Sequence, residues 1–218
     1  MSLEEIRSYM NQVRRDFADS PLTEESVESN PFKQYAVWFE EAVNSEILDP
    51  FAMCLSTVGL NNQPSSRIVY MRDILDDGFV FYTNYLSQKG KELLSTPKAA
   101  LNLHWGELDR QIRIEGDVMK VPDEVSDKYF AARPKKSQIG AWASAQSDVL
   151  TTREELEQHV LKYTARFKDI EVDRPKHWGG YVLKPTKIEF WQGRASRLHD
   201  RIVYNKEGAE WKIERLSP

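Results

Sequence analysis

The chain has 218 residues with a formal net charge of -4, and is 40% hydrophobic and 29% charged, an ordinary globular balance. That charge argues against a nucleic-acid binder, which needs a basic excess. The single cysteine, Cys54, excludes an intrachain disulfide, and no apolar run approaches the ~18 residues of a membrane helix. The N-terminus MSLEEIRSYMNQVRRDF lacks the apolar core of a secretory signal, so the expected compartment is the cytoplasm.

In chain order, residues 3–17 read as a helix with Ile6, Met10 and Val13 as a thin apolar stripe. Residues 20–31 are a polar linker. From Pro31 the spacing Phe32, Ala36, Phe39, Val43, Ile47 predicts an amphipathic helix. AMCLSTV (52–58), where Cys54 is expected to be buried, and SSRIVYM (65–71) read as strands. Asp77-Gly78 between apolar runs signals a hairpin. SQKGKELLS (87–95) is a short helix, and AALNLHW and RQIRIEGDVMKV alternate as half-buried strands. Three helical segments follow. The last has Thr151 and Glu154 as a capping box and Leu156, Val160, Tyr163 and Phe167 as its stripe. The chain ends in strands, with Glu207-Gly208 as a turn. About seven strands, joined mostly by hairpins, predict a mainly β, α+β chain: an antiparallel barrel with helices attached. There is no βαβ alternation and no GxGxxG.

Several places suit an anion. Ser87 is a good N-cap, and Lys89 and Lys91 follow in the first turn, where cations oppose the helix dipole unless an anion sits there. Gly90 would let a ligand approach; alternatively both lysines extend into water. Arg67 shares a strand face with Val69 and Met71 and needs an anionic partner or an exit to water. Tyr129, Arg133 and Ser137 are spaced by four across a helix break at Pro134, and could hold a phosphate or form a solvated turn. Gln111 and Arg113 lie on the face opposite Ile112 and Ile114, and Gln146-Ser147 is a polar turn; a glutamine amide can read the edge of a heterocycle. In WQGRASRLHDR (191–201), an extended backbone would put Arg197, His199 and Arg201 on one face, a repulsive arrangement unless an anion joins them. No histidine pair has metal-ligand spacing, so no metal site is expected, and there is no GxSxG nucleophile. Anion sites without a protein nucleophile point to cofactor chemistry.

SRIVYMR, FYTN, SQKG, RQIRIEG, YFAARPKKSQIGAWAS-QS and FWQG...RLHDR, in this order and spacing, resemble the pyridoxine/pyridoxamine 5'-phosphate oxidase family over nearly the whole chain. The resemblance implies an FMN-binding split β-barrel, homodimeric, with FMN at the subunit interface. It implies residues 1–31 as an N-terminal helix, lid and linker, and 32–218 as one domain with inserted helices. Arg67 and Lys89 would hold the FMN phosphate with Ser87 near by. Ile68, Val69, Tyr82 and Thr83 would line the flavin and ribityl chain. Gln111, Gln146, Ser147, Trp191 and Arg201 would also touch FMN, some from the second subunit. Arg72 borders both ligands and, with Tyr129, Arg133 and Ser137, would bind the substrate phosphate. Arg197 and His199 would sit over the substrate ring as the catalytic pair, and Arg14, with Phe17, would belong to the lid. The implied reaction is hydride transfer from substrate C4' to flavin N5, giving pyridoxal 5'-phosphate, with O2 as final acceptor and H2O2 as product. Arg72 stands where the family often has Lys, Gln88 where many members have a base, and Phe17 where the family has Tyr. The rival readings are a related split-barrel oxidase, of the phenazine type, and a non-catalytic flavin- or pyridoxal-phosphate-binding protein.

Overall fold

In the computed structural model, residues 1–12, 15–17 and 20–218 are described; the expected roles of Val13 and Arg14 lie outside them. Helix α1 spans Leu3–Gln12 with none of its residues buried, shorter than the expected 3–17. Helix α2 spans Pro31–Asn44 and starts where its sequence dictates. Asn30 accepts from the Phe32 and Lys33 amides, and Pro31, which has no amide to satisfy, occupies the first turn. Its buried face is Gln34, Tyr35, Trp38 and Ala42, while Ala36 and Val43 of the expected stripe are exposed. The two large rings decide the orientation, because they have the most apolar area to bury.

The strands are β1 (Ala52–Val58), β2 (Pro64–Tyr70), β3 (Asp73–Leu75), β4 (Gly78–Asn84), β5 (Lys98–Trp105), β6 (Arg110–Lys120), β7 (Trp178–Gln192), β8 (Asp200–Glu207) and β9 (Glu210–Arg215). Helix α3 (Gln88–Ser95) lies between β4 and β5; α4 (Asp123–Ala131), α5 (Lys135–Ala143) and α6 (Arg153–Arg166) lie between β6 and β7. The sheet has nine strands rather than about seven, because each hairpin contributes two short ones. Its order is β2-β1-β5-β6-β7-β4-β3, with β8 joined to β7 and β9. The hairpins β1/β2, β3/β4 and β8/β9, and the pairs β1/β5 and β4/β7, are antiparallel. Among the described residues no helix is long and apolar enough to cross a membrane.

The β3/β4 hairpin turns on Asp76-Asp77, and Gly78 is the first residue of β4, paired with Leu75. Gly78 is glycine for packing rather than for the turn: a β-carbon there would strike Val182 and the Leu183 carbonyl. The capping box of α6 sits one residue later than expected. Thr152 accepts from the Glu155 amide, and the Glu155 carboxylate accepts from the Thr151 amide at 3.1 Å.

Two compact units share the chain. The central unit holds Phe51–Leu103 and Arg113–Lys187. Its core is set by strand alternation: Met53 and Leu55 of β1 are buried with Phe79, Phe81, Leu101, Leu103, Ile114 and Leu183. Cys54, expected to be buried, is half-buried, because the inner face of β1 belongs to its neighbours. A second cluster, Phe130, Ile139, Phe167, Val172 and Trp178, packs the helices. The terminal unit holds Met1–Pro50, His104–Ile112 and Ile188–Pro218. There Trp38 and Tyr204 both meet Phe190 edge-on, at 5.1 and 5.6 Å, and the Tyr204 hydroxyl donates to the Glu28 carbonyl.

Candidate active site

The site in the central unit begins with the alternation of β2. Arg67 and Val69 turn inward while Ile68 and Tyr70 stay exposed. Arg67 meets a carboxylate of the protein itself: its Nη2 lies 3.2 Å from Glu92 Oε2 on α3. It also donates to the Ser65 hydroxyl at 2.6 Å, to Thr57 Oγ1, and to the Leu55 carbonyl at 3.3 Å. Ser87 caps α3 as expected, accepting from the Gly90 amide at 3.3 Å. Lys89 and Lys91 then part company. Lys91 extends into solvent, whereas Lys89 is 8% exposed and its Nζ lies 3.4 Å from Gln146 Oε1. Burial, and next Arg67, hold the Lys89 ammonium below the usual lysine range, opposed by Glu92. Gly90 makes no room for a ligand. A β-carbon there would collide with the Tyr85 carbonyl, so backbone approach explains this glycine.

The second arm comes from the break between α4 and α5. Pro134 ends the first helix and opens the next, which brings Tyr129, Arg133 and Ser137 to one place. Tyr82 of β4 stacks on Tyr129 at 3.7 Å and 5°, and Trp178 lies parallel to Tyr82 at 5.6 Å. Burial pushes the Tyr82 hydroxyl up to about 12, so it is a neutral donor. The Arg133 guanidinium lies 4.4 Å from the Trp178 ring centre. Its Nη1 is buried and has no hydrogen-bond partner among the described residues. Burial lowers the Arg133 pKa, with Arg72 adding to the effect. Arg72 itself rests on Tyr70 and Phe51, at 4.7 and 5.1 Å.

These groups line one cavity of about 750 Å3. Arg67, Ile68, Val69, Arg72, Tyr82, Thr83, Lys89 and Gln146 border it together with Tyr129, Arg133 and Ser137. Both expected ligand sets in this unit therefore converge. No carboxylate is among its described lining residues, and an unpartnered buried guanidinium N–H awaits an acceptor. Fixed cations, a flat aromatic wall and the Gln146 amide fit a flat ligand bearing phosphate. Ser87, wholly buried in its capping role, does not line the cavity. Neither does Ser147, which is exposed in a left-handed conformation (φ 76°).

Gln111, Trp191, Arg197, His199 and Arg201 belong to the terminal unit. Here the expected extended segment is overturned. Residues Ala195–Arg197 form a short 3-10 turn, with Ser196 and Arg197 at φ 56° and 62°, and β8 starts only at Asp200. The cations are accordingly not in strand register. Arg197 is exposed on the turn. His199 packs against Trp191 (4.6 Å) and Phe17 (5.1 Å), and its Nδ1 accepts from the Arg194 amide. Arg201 pairs with Glu189, which is 2% exposed. Asp200 bonds Arg194, Arg215 and the Leu22 amide, so it forms no dyad with His199. Gln111 is half-buried on β6, opposite the buried Ile112.

Sequence reasoning missed Glu92, Glu189 and Trp178. The only local signal was the i,i+4 spacing of Gln88 and Glu92, which are hydrogen-bonded at 2.9 Å.

Residues 39–167 match the family model described as pyridoxamine 5'-phosphate oxidase, and residues 178–218 match that of the pyridoxine 5'-phosphate oxidase C-terminal dimerisation region. The pyridoxine/pyridoxamine 5'-phosphate oxidase of Cyanothece sp. is 49% identical over 96% of this chain and 98% of its own. That of Cupriavidus necator is 50% identical over 94% and 97%. The crystal structure of PhzG from Burkholderia lata, in complex with tetrahydrophenazine-1-carboxylic acid, superposes with a TM-score of 0.86 at 32% identity, covering 92% of this chain and 99% of that one. The antiparallel sheet with attached helices is thus the split-barrel fold, and with matches of this extent the chain belongs to the pyridoxamine 5'-phosphate oxidase family.

Proposed function

We propose that the chain is an FMN-dependent oxidase converting pyridoxamine 5'-phosphate and pyridoxine 5'-phosphate to pyridoxal 5'-phosphate. The observation that carries this is the cavity joining Arg67 and Lys89 to Arg72 and Arg133, with the Arg133 Nη1 unpartnered among the described residues. Two phosphorylated flat molecules would satisfy those cations, and the aromatic stack supplies a flat wall.

Arg67 and Lys89 bind the FMN phosphate, and Ser87 holds the start of α3 so that Lys89 points inward. Ile68, Val69, Tyr82 and Thr83 flank the flavin and ribityl chain, with Arg72 at its border. Gln146, fixed between Lys89 and Thr83, presents its amide to the flavin edge. Gln111, Ser147, Trp191 and Arg201 add further FMN contacts, some from a second copy. Tyr129, Arg133, Ser137 and Arg72 bind the substrate phosphate, which fixes the ring's distance from the flavin. Arg197 and His199 orient the substrate ring, and the N-terminal segment that carries Phe17 serves as its lid. FMN, when bound, supplies the acceptor at N5 for the hydride leaving C4', with O2 as the final acceptor yielding H2O2. The family description of 178–218 as a dimerisation region supports a homodimer; FMN at its interface and a cytoplasmic location are further parts of the proposal.

The test is anaerobic: FMN-loaded protein is mixed with pyridoxamine 5'-phosphate and the flavin's visible band is followed. The expected result is rapid bleaching, reversed by air with release of pyridoxal 5'-phosphate. Flavin that stays yellow with either B6 phosphate overturns the assignment. The likeness to PhzG favours a second reading, an oxidase of a phenazine-type carboxylate; bleaching by such a carboxylate and not by the B6 phosphates would select it. Bleaching by neither would leave a binding role.

A further inference from the structure

A carboxylate beside an anion-binding cavity opposes the anion, so Glu92 needs a reason. It is buried, 8% exposed, and stands just behind Arg67. Thr57 and Ser65 each donate a hydroxyl to it, at 2.5 and 2.9 Å, and Gln88 donates its amide at 2.9 Å. The same two hydroxyls accept from the Arg67 guanidinium. Arg67 is therefore tied to Glu92 directly and through two relays, which fix the plane of the guanidinium. With the Leu55 carbonyl these partners engage four of its five N–H groups, which leaves Nε–H and the fixed positive charge for the cavity, which Arg67 lines and Glu92 does not.

We propose that Glu92 is a positioning residue for the FMN phosphate, setting the orientation of Arg67 through Thr57 and Ser65. This rests on the FMN reading above. The gain comes from preorganisation. A long flexible cation loses rotamer freedom when it clamps a ligand, and here the fold has already imposed that loss. Glu92 also offsets part of the repulsion between Arg67 and Lys89 that the folded chain must hold before any ligand arrives.

The experiment strips FMN from the purified protein and titrates it with FMN and with riboflavin, which lacks the phosphate, following quenching of flavin fluorescence. The variants are Glu92→Gln and, as a smaller change that spares the carboxylate, Ser65→Ala. Wild type should bind FMN more tightly than riboflavin. Glu92→Gln should weaken FMN at least about tenfold, the scale of one charge-assisted hydrogen bond, and leave riboflavin within about twofold. Ser65→Ala should weaken FMN a few-fold, again without riboflavin following, and this arm decides if Glu92→Gln does not fold. Glu92→Gln binding FMN as tightly as wild type, or more tightly, would show the carboxylate to be a mere opposing charge. Equal losses for FMN and riboflavin would make it structural, and either result overturns the proposal. A wild type that binds FMN no better than riboflavin would remove the phosphate assignment of Arg67 and Lys89 itself; that failure is visible without any variant.

Discussion

Arg201 closes a two-pronged ion pair on Glu189, Nε to Oε1 at 2.8 Å and Nη2 to Oε2 at 3.1 Å, and Glu189 is 2% exposed. Arg201 also reaches the Ser217 carbonyl, tying β8 to the C-terminal residues. Removing one partner of such a pair leaves a charge without compensation in a low-dielectric setting, at roughly 3–5 kcal/mol. Arg201→Ala should therefore lower the urea midpoint of the FMN-free protein by the equivalent of about 3 kcal/mol. Adding Glu189→Leu should recover much of that. A loss below about 1 kcal/mol in the single variant would mean that the pair contributes no more than a surface one.

Arg133 is the opposite case, a buried cation held on aromatic faces with one N–H unsatisfied among the described residues. An unmet buried donor costs about 1–3 kcal/mol, which an apolar replacement does not incur. Arg133→Met should thus leave stability unchanged or raise it slightly, while KM for pyridoxamine 5'-phosphate rises at least about tenfold, the scale of a lost charge-assisted contact. Thermal unfolding and steady-state kinetics separate the two effects. A destabilised variant with unchanged KM would make Arg133 a packing residue.

The contrast bears on what the sequence makes legible. Local rules place Ser87 at a helix start, turn Arg67 inward on a strand, and break the chain at Pro134 between Tyr129 and Ser137. Each depends on neighbours a few residues away. Glu92 reads as a solvated helix residue because its partners Thr57 and Ser65 are 35 and 27 residues distant. Glu189 is hidden for the same reason. The 195–197 turn is misread because left-handed Ser196 and Arg197 carry no glycine to announce them. Gly90 carries a signal with two meanings, and only the position of Tyr85 chooses between them.

Lys89 gives the site a pH dependence with a definite sign. Burial, then Arg67, lower its pKa below that of the unfolded chain, about 10.4. In the ligand-free fold its charge is thus unfavourable at neutral pH, and that penalty fades as pH rises through the lowered value. A bound phosphate reverses the preference and raises the pKa, so binding takes up a proton in the window between the two. FMN affinity should fall as pH rises through that window, which opens at the lowered Lys89 value, below the ordinary lysine range. Titrations from about pH 7 to 10 should show the fall in wild type and lose it in Lys89→Met, which starts weaker. A flat wild-type profile would place Lys89 away from the phosphate.

Arg197 stands on a turn that is braced at both ends. The Arg194 amide donates to His199 Nδ1 at 3.1 Å, the Leu198 amide to the Ala195 carbonyl at 3.2 Å, and the Arg194 side chain pairs with Asp200 at 2.7 Å. Two successive left-handed residues are unfavourable by roughly 1–2 kcal/mol each, so this bracing, rather than the Arg197 side chain, keeps the turn. The side chain itself is exposed. Arg197→Ala should then leave the unfolding temperature and FMN affinity close to wild type while kcat drops by about 100-fold, the scale expected when a reacting group loses its orientation. The check is single-turnover flavin reduction by pyridoxamine 5'-phosphate alongside FMN titration of the same preparation. Turnover like that of wild type would remove Arg197 from the reaction, and a parallel loss of FMN would move it from the substrate to the cofactor.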